Sequence, residues 1–246
     1  MKVIFINFLV FSNFIAAISD PIEDIFANCR LSQPKKEFEE CLKFALNQLN
    51  PLFKYGLPEY GVAPFDPHQQ SYVEQVRGND RFVGGYRLLL KDVSEYGWTQ
   101  SKITDLKMDF EHNAMIYTQY FPLKSLDGHY IFESKVLGQP VTTHGNWSLV
   151  LKDYSQTTTI RRLGGQGSRL KVRVVIDKIG GMQLHISDLF RGSVIIESIA
   201  DLLINTTWRP FLPFMKPLIE DLVSSAFTDI FNESFRYFPV EKFIKY

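Results

Sequence analysis

The 246-residue chain has only two cysteines, Cys29 and Cys41, and no excess charge, since 27 Lys and Arg face 27 Asp and Glu. That balance removes the electrostatic case for a nucleic-acid partner, which needs a basic stripe to displace counterions from phosphates. No polybasic cluster argues for anionic lipid headgroups either. The five histidines, His68, His112, His129, His144 and His185, lack metal-protease spacing, and no Gly-x-Ser-x-Gly elbow is present. The nearest carboxylate and imidazole grouping, Asp109-Glu111-His112, falls at an expected strand end, where alternating charges mark a solvated face. Gly164 to Gly167 join Arg161-Arg162 to a strand rather than opening a helix, so they read as a hairpin and not a phosphate cradle. No cofactor, metal or catalytic residue is expected.

One long hydrophobic run is present, from Val3 to Ile18. It follows Lys2 and ends in Ala17-Ile18-Ser19, the pattern of a cleaved secretory leader over residues 1–19. The competing reading is a membrane anchor. That needs about 20 apolar residues, whereas this run has 16, includes Asn7, Ser12 and Asn13, and stops at Asp20-Pro21. Residues 20–246 then form one secreted, extracellular domain, since no repeat or linker divides them. In an oxidising compartment the cysteine pair reads as one disulfide closing a short loop, worth roughly 3 kcal/mol in the chain-entropy model. Free thiols or a pair of metal ligands compete with that reading. Three sequons, at Asn146, Asn205 and Asn232, suit a secreted glycoprotein.

A helix is expected from about Lys35 to Phe53, where Phe38, Cys41, Leu42, Ala45, Leu46, Leu49 and Phe53 share a face. From Gln70 to Leu189 the apolar residues alternate, as in antiparallel strands with one buried face. Turn signals fall at Asn79-Asp80, Glu111-His112-Asn113, Leu126-Asp127-Gly128, Gly164–Gly167 and Gly180-Gly181. A glycan on Asn146 must face solvent, so strand parity turns Trp147, Leu149 and Leu151 inward, with Tyr130, Phe132 and Val136 on the preceding strand. Helical spacing returns in Phe211, Met215, Leu218, Leu222, Ala226 and Ile230, predicting a helix over Pro213 to Phe235 with Asn232 off the apolar stripe. Two helices bracketing a curved antiparallel sheet is an α+β arrangement.

The cysteine pair before a helix, followed by Gly56-Leu57-Pro58-Glu59-Tyr60-Gly61-Val62-Ala63-Pro64-Phe65-Asp66-Pro67, resembles the insect takeout and haemolymph juvenile hormone-binding family. Gly128-His129-Tyr130, Pro140 with Gly145, Asp188–Gly192 and Asn205–Trp208 extend the resemblance along nearly the whole mature chain. Ala63, Ser134 and the lack of a second disulfide place it nearer the takeout branch. The resemblance implies a long helix wrapped by a strongly curved antiparallel sheet, enclosing an apolar tunnel for a small hydrophobic ligand.

Strand parity adds an aromatic wall of Trp98, Phe110, Tyr117, Phe121, Tyr130, Phe132 and Trp147. Rings of this kind shape a slot, and a hydroxyl such as that of Tyr130 orients a polar head. The plainer reading is that these rings pack against the helices. The expected function is a secreted, non-enzymatic carrier of a terpenoid, fatty-acid-like or hormone-like molecule, handed over at a membrane or cell-surface receptor. An interaction protein with a permanent structural lipid and an ester hydrolase are the alternatives.

Overall fold

The computed structural model describes residues 21–78, 85–136, 139–188 and 194–244. The expected leader, the Asn79-Asp80 turn and Leu189–Gly192 lie outside the described residues. The elements are α1 (Pro21–Phe26), α2 (Lys35–Leu49), β1 (His68–Arg77), β2 (Tyr86–Tyr96), β3 (Lys102–Asp109), β4 (Ala114–Val136), β5 (Gln139–Arg162), β6 (Leu170–Ile186), α3 (Val194–Phe235) and α4 (Val240–Phe243). Pro51 lacks the N–H that α2 would need to continue, and the chain tightens into a 3-10 segment over Asn50–Lys54. The Cys29–Cys41 disulfide ties the segment after α1 to α2, with Cα atoms 5.5 Å apart.

The sheet is antiparallel in the order β1-β2-β4-β5-β6 and is not closed. One edge of β4 is shared, with β3 pairing over Ala114–Tyr120 and β2 over Ser125–Ser134. The Gly97–Ser101 connection therefore sits at mid-length on that shared edge. Two expected turns prove to be interior strand positions: Leu126-Asp127-Gly128 lies within β4 and Gly180-Gly181 within β6. Their glycines meet bulges in the neighbouring strand. A Cβ on Gly128 would lie 2.8 Å from Lys91 O, and one on Gly180 would lie 2.6 Å from Asp153 Cβ. Asp92 and Asp153 have positive φ at those irregularities. Bulges of this kind bend long strands without ending them.

Helix α3 begins well before Pro213 and carries Pro210, Pro213 and Pro217 inside it. Each proline removes one backbone bond, and the sheet edge beside the helix supplies others. Asn205 brackets Leu184, its Oδ1 accepting from the amide at 2.7 Å and its Nδ2 donating to the carbonyl at 3.0 Å. Glu220 accepts from Ile176 N at 2.8 Å, Ser224 from Val174 N at 2.9 Å, Thr228 from Val172 N at 3.0 Å and Asn232 from Leu170 N at 2.9 Å. Asn232 Nδ2 also donates to Leu170 O at 2.8 Å. Four helical residues rise about 6.0 Å and two strand residues about 6.6 Å, so side chains four apart on the helix keep step with alternate strand residues. The other sheet edge is held by Gln75 Nε2 donating to Leu218 O at 3.0 Å and by Arg77 paired with Asp221 at 2.6 Å. The helix thus spans from β6 to β1.

Asn232 accordingly faces the β6 edge and not open solvent, which corrects the expectation from helical angle alone. Phe211 and Met215 are exposed, so the buried stripe starts only at Ile219 and Val223, keeps the expected Ile230, and adds Phe227, Phe231 and Phe235. Replacing Thr228 with Val removes a hydroxyl from a backbone edge that water cannot easily reach, and urea unfolding should show a loss of about 1–3 kcal/mol. Because Asn205 and Asn232 spend both amide atoms on β6 while Asn146 is exposed, intact mass before and after glycosidase treatment should reveal a glycan on Asn146 alone.

Candidate functional site

A cavity of about 340 Å³ lies where α1, α2, α4 and the C-terminal end of α3 meet the half of the sheet formed by β3 and the near ends of β4, β5 and β6. Its wall is mostly apolar, with Leu42, Leu46 and Leu49 from α2, Phe231 and Phe235 from α3, and Phe238 and Phe243 beyond it. Ala114, Tyr117 and Gln119 run along β4 from the outer end inward, and five residues of strand extend about 17 Å. Asn113 and Val240 are exposed and mark the outer end, whereas Trp98 and Gln119 are almost fully buried.

Trp98 is held from both sides. Asp66 accepts from Gly97 N at 3.0 Å and Thr99 N at 2.8 Å, and the Phe65 ring meets Trp98 edge-on with centroids 5.6 Å apart. On the other flank Asn50 donates to Ser101 O, and Asn47 both donates to Ile103 O and accepts from Ile103 N. The Phe65-Asp66 part of the conspicuous proline-glycine segment therefore fixes the loop between β2 and β3, and α2 fixes its exit. Beyond Trp98 lies a buried ion pair of Lys124 with Glu95. The Lys124 ammonium is 4.6 Å from the Trp98 ring centroid and 4.2 Å from that of Phe121. Phe121, Tyr154 and Phe227 complete this layer, none of them lining the cavity.

Of the seven aromatic positions expected to form the wall, Trp98 and Tyr117 line the cavity and Phe121 packs directly behind Trp98. Phe110 is 54% exposed, because β3 ends at Asp109 and the following turn carries the ring outward against Phe38. Tyr130, Phe132 and Trp147 sit in the other half of the sheet. The Tyr130 hydroxyl donates to Ser187 O at 2.8 Å, and Phe132 packs on Tyr86. The helix-borne wall was not anticipated. Its signal was the spacing of Phe227, Phe231 and Phe235 at every fourth position, with Phe238 and Phe243 following. Burial raises the Tyr117 and Tyr154 phenols far above their ordinary pKa, so both stay protonated.

Fold and cavity invite comparison with known proteins. A family model described as haemolymph juvenile hormone binding protein matches residues 8–245. The chain belongs to that family. The crystal structure of Epiphyas postvittana Takeout 1 superposes with a TM-score of 0.58 at 19% identity, covering 84% of this chain and 96% of that one. This likeness extends the family's tunnel fold to the present chain. A crystal structure of lipopolysaccharide binding protein matches with a TM-score of only 0.30 at 12% identity, over 82% of this chain and 38% of that one, and carries no argument. No curated protein matches the chain. No helix among the described residues is long and apolar enough to cross a membrane.

His68, buried at the start of β1 against Phe65, has its pKa lowered by desolvation, with Lys124 acting in the same direction and Glu95, Gln70 and Glu233 opposing. Protonation below pH 6.5 therefore favours the unfolded chain, and stability should fall as pH drops from that value toward the lowered folded-state pKa. Thermal unfolding at pH 7.5 and 5.0 should show this loss in the native chain and a smaller one in His68→Gln.

Proposed function

We propose that this chain is a secreted carrier that holds one small hydrophobic molecule in the cavity between α2, the end of α3 and the β3–β6 half of the sheet. The observation that carries the reading is the cavity itself: a sizeable space with an almost wholly apolar lining, an outer end at Asn113 and Val240, and an inner end closed by Trp98. Its volume falls within the range of about 300–1,000 Å³ typical of small-molecule sites. Membership in a family whose name denotes juvenile hormone binding supports the carrier role and leaves the chemical class of the guest to this chain's own lining.

Burying about 300 Å² of guest surface gains about 7.5 kcal/mol at about 25 cal/mol/Å². Micromolar binding corresponds to about −8 kcal/mol, and immobilisation of the guest opposes it. Apolar burial thus brings a terpenoid or fatty chain close to useful affinity, and one or two directed hydrogen bonds complete it. Export through the leader at residues 1–19 and handover at a membrane or cell-surface receptor belong to the same reading. The Cys29–Cys41 bond suits an oxidising exterior.

Native mass spectrometry of the purified protein, followed by solvent extraction, should reveal a co-purified lipid-like molecule that exchanges for a labelled competitor while the protein stays folded. A guest that cannot be exchanged would favour a permanent structural lipid. Replacing Ala114 with Trp fills the cavity from β4, and affinity for the fluorescent probe N-phenyl-1-naphthylamine should drop at least tenfold, about 1.4 kcal/mol.

A further inference from the structure

Two atoms in the inner wall of the cavity stand out chemically. The Trp98 indole N–H and the Gln119 amide oxygen are both buried and have no hydrogen-bond partner among the described residues, and both side chains line the cavity. The amide and hydroxyl groups of Ser101 and Asn50 beside them are committed. Gln119 Nε2 donates to Ser101 Oγ at 2.6 Å, and Ser101 Oγ in turn donates to Trp98 O at 2.6 Å. Asn50 Nδ2 donates to Ser101 O at 2.5 Å. At the outer end, Asn113 Nδ2 donates to Gly164 O at 3.1 Å, and Arg162 donates to Arg236 O at 3.0 Å. A buried donor and a buried acceptor left open in an otherwise apolar space are costly unless a guest or a buried water satisfies them.

We infer that the inner end of this cavity is a receptor for a terminal hydroxyl, so that the guest is a hydrophobic chain ending in an alcohol and entering polar end first. A hydroxyl is a small neutral group that can accept from Trp98 Nε1–H while donating to Gln119 Oε1. An ether, ester or aldehyde accepts from the indole but leaves the amide oxygen unmet. A carboxylate also lacks the proton for Gln119 and would be an added charge beside the Lys124–Glu95 pair, which is already balanced. The site is preorganised, because Asp66 on one side and Asn47 and Asn50 on the other hold the Trp98 loop. This inference rests on the carrier reading and names the class of its guest.

The test is displacement of N-phenyl-1-naphthylamine by dodecanol, dodecyl methyl ether and dodecane from the native chain, Trp98→Phe and Gln119→Leu. Each lost hydrogen bond should cost about five- to tenfold in affinity. Dodecanol should therefore weaken in both variants, the ether in Trp98→Phe only, and dodecane in neither. A variant that weakens all three competitors alike has a structural effect only and overturns the hydroxyl receptor, as does unchanged dodecanol binding in both. Failure of every competitor to displace the probe from the native chain would instead overturn the carrier reading, and the inference with it.

Discussion

The open edge of β6 is the constraint on which the rest of the structure depends. An unpaired strand edge exposes a row of amides and carbonyls that must be hydrated, paired with another strand or capped by side chains. Here α3 caps it with Glu220, Ser224, Thr228 and Asn232, each four residues from the next and each opposite an alternate strand residue. The same residues of β6 turn Leu170, Val172, Val174 and Ile176 inward as core. One helix face thus satisfies polar backbone while the adjoining face supplies Phe227, Ile230, Phe231 and Phe235 to the interior. Polar and apolar stripes side by side leave a low net amphipathicity, yet each stripe has its own partner.

Because α3 also reaches β1 through Gln75 and Arg77, a sheet that does not close on itself still surrounds an interior. That interior is not uniform along its length. The Gly97–Ser101 connection inserts Trp98 at mid-sheet, and the Lys124–Glu95 pair with Phe121, Tyr154 and Phe227 fills the space behind it. The cavity is consequently confined to the end nearest α2 and α4. There the first and last described helices cooperate: Phe243 packs against Phe26 and Tyr60, and Lys242 bonds Tyr60 and pairs with Glu23. Removing an exposed pair such as Lys242–Glu23 would change little, since solvent screens it, whereas the aromatic contacts bury real area.

Much of this was legible in the sequence because periodicity reports one buried face. The parity that sends Asn146 outward and Leu151 inward holds, and α2 lies where its stripe predicted. The strands run longer than expected at Gly128 and Gly180, since a glycine needed for close approach to a bulge looks identical in sequence to a glycine needed for a turn. Phe110 continued the alternation of Leu106 and Met108, but alternation carries no information past the residue where pairing stops. Helical angle alone points Asn232 to solvent, because it does not reveal a sheet edge beside the helix. The Gly56–Pro67 segment carried the family resemblance without disclosing that Asp66 anchors the loop bearing Trp98, a contact between residues far apart in sequence.

The capped edge is most directly tested by residue-resolved hydrogen exchange along β6. The amides of Leu170, Val172, Val174 and Ile176, which face α3, should be protected to the same degree as those of Lys171, Arg173 and Val175, which face β5. Exchange of the first set as fast as exposed hairpin amides such as Gly165, with the second set still protected, would contradict the helix as the element that seals the sheet.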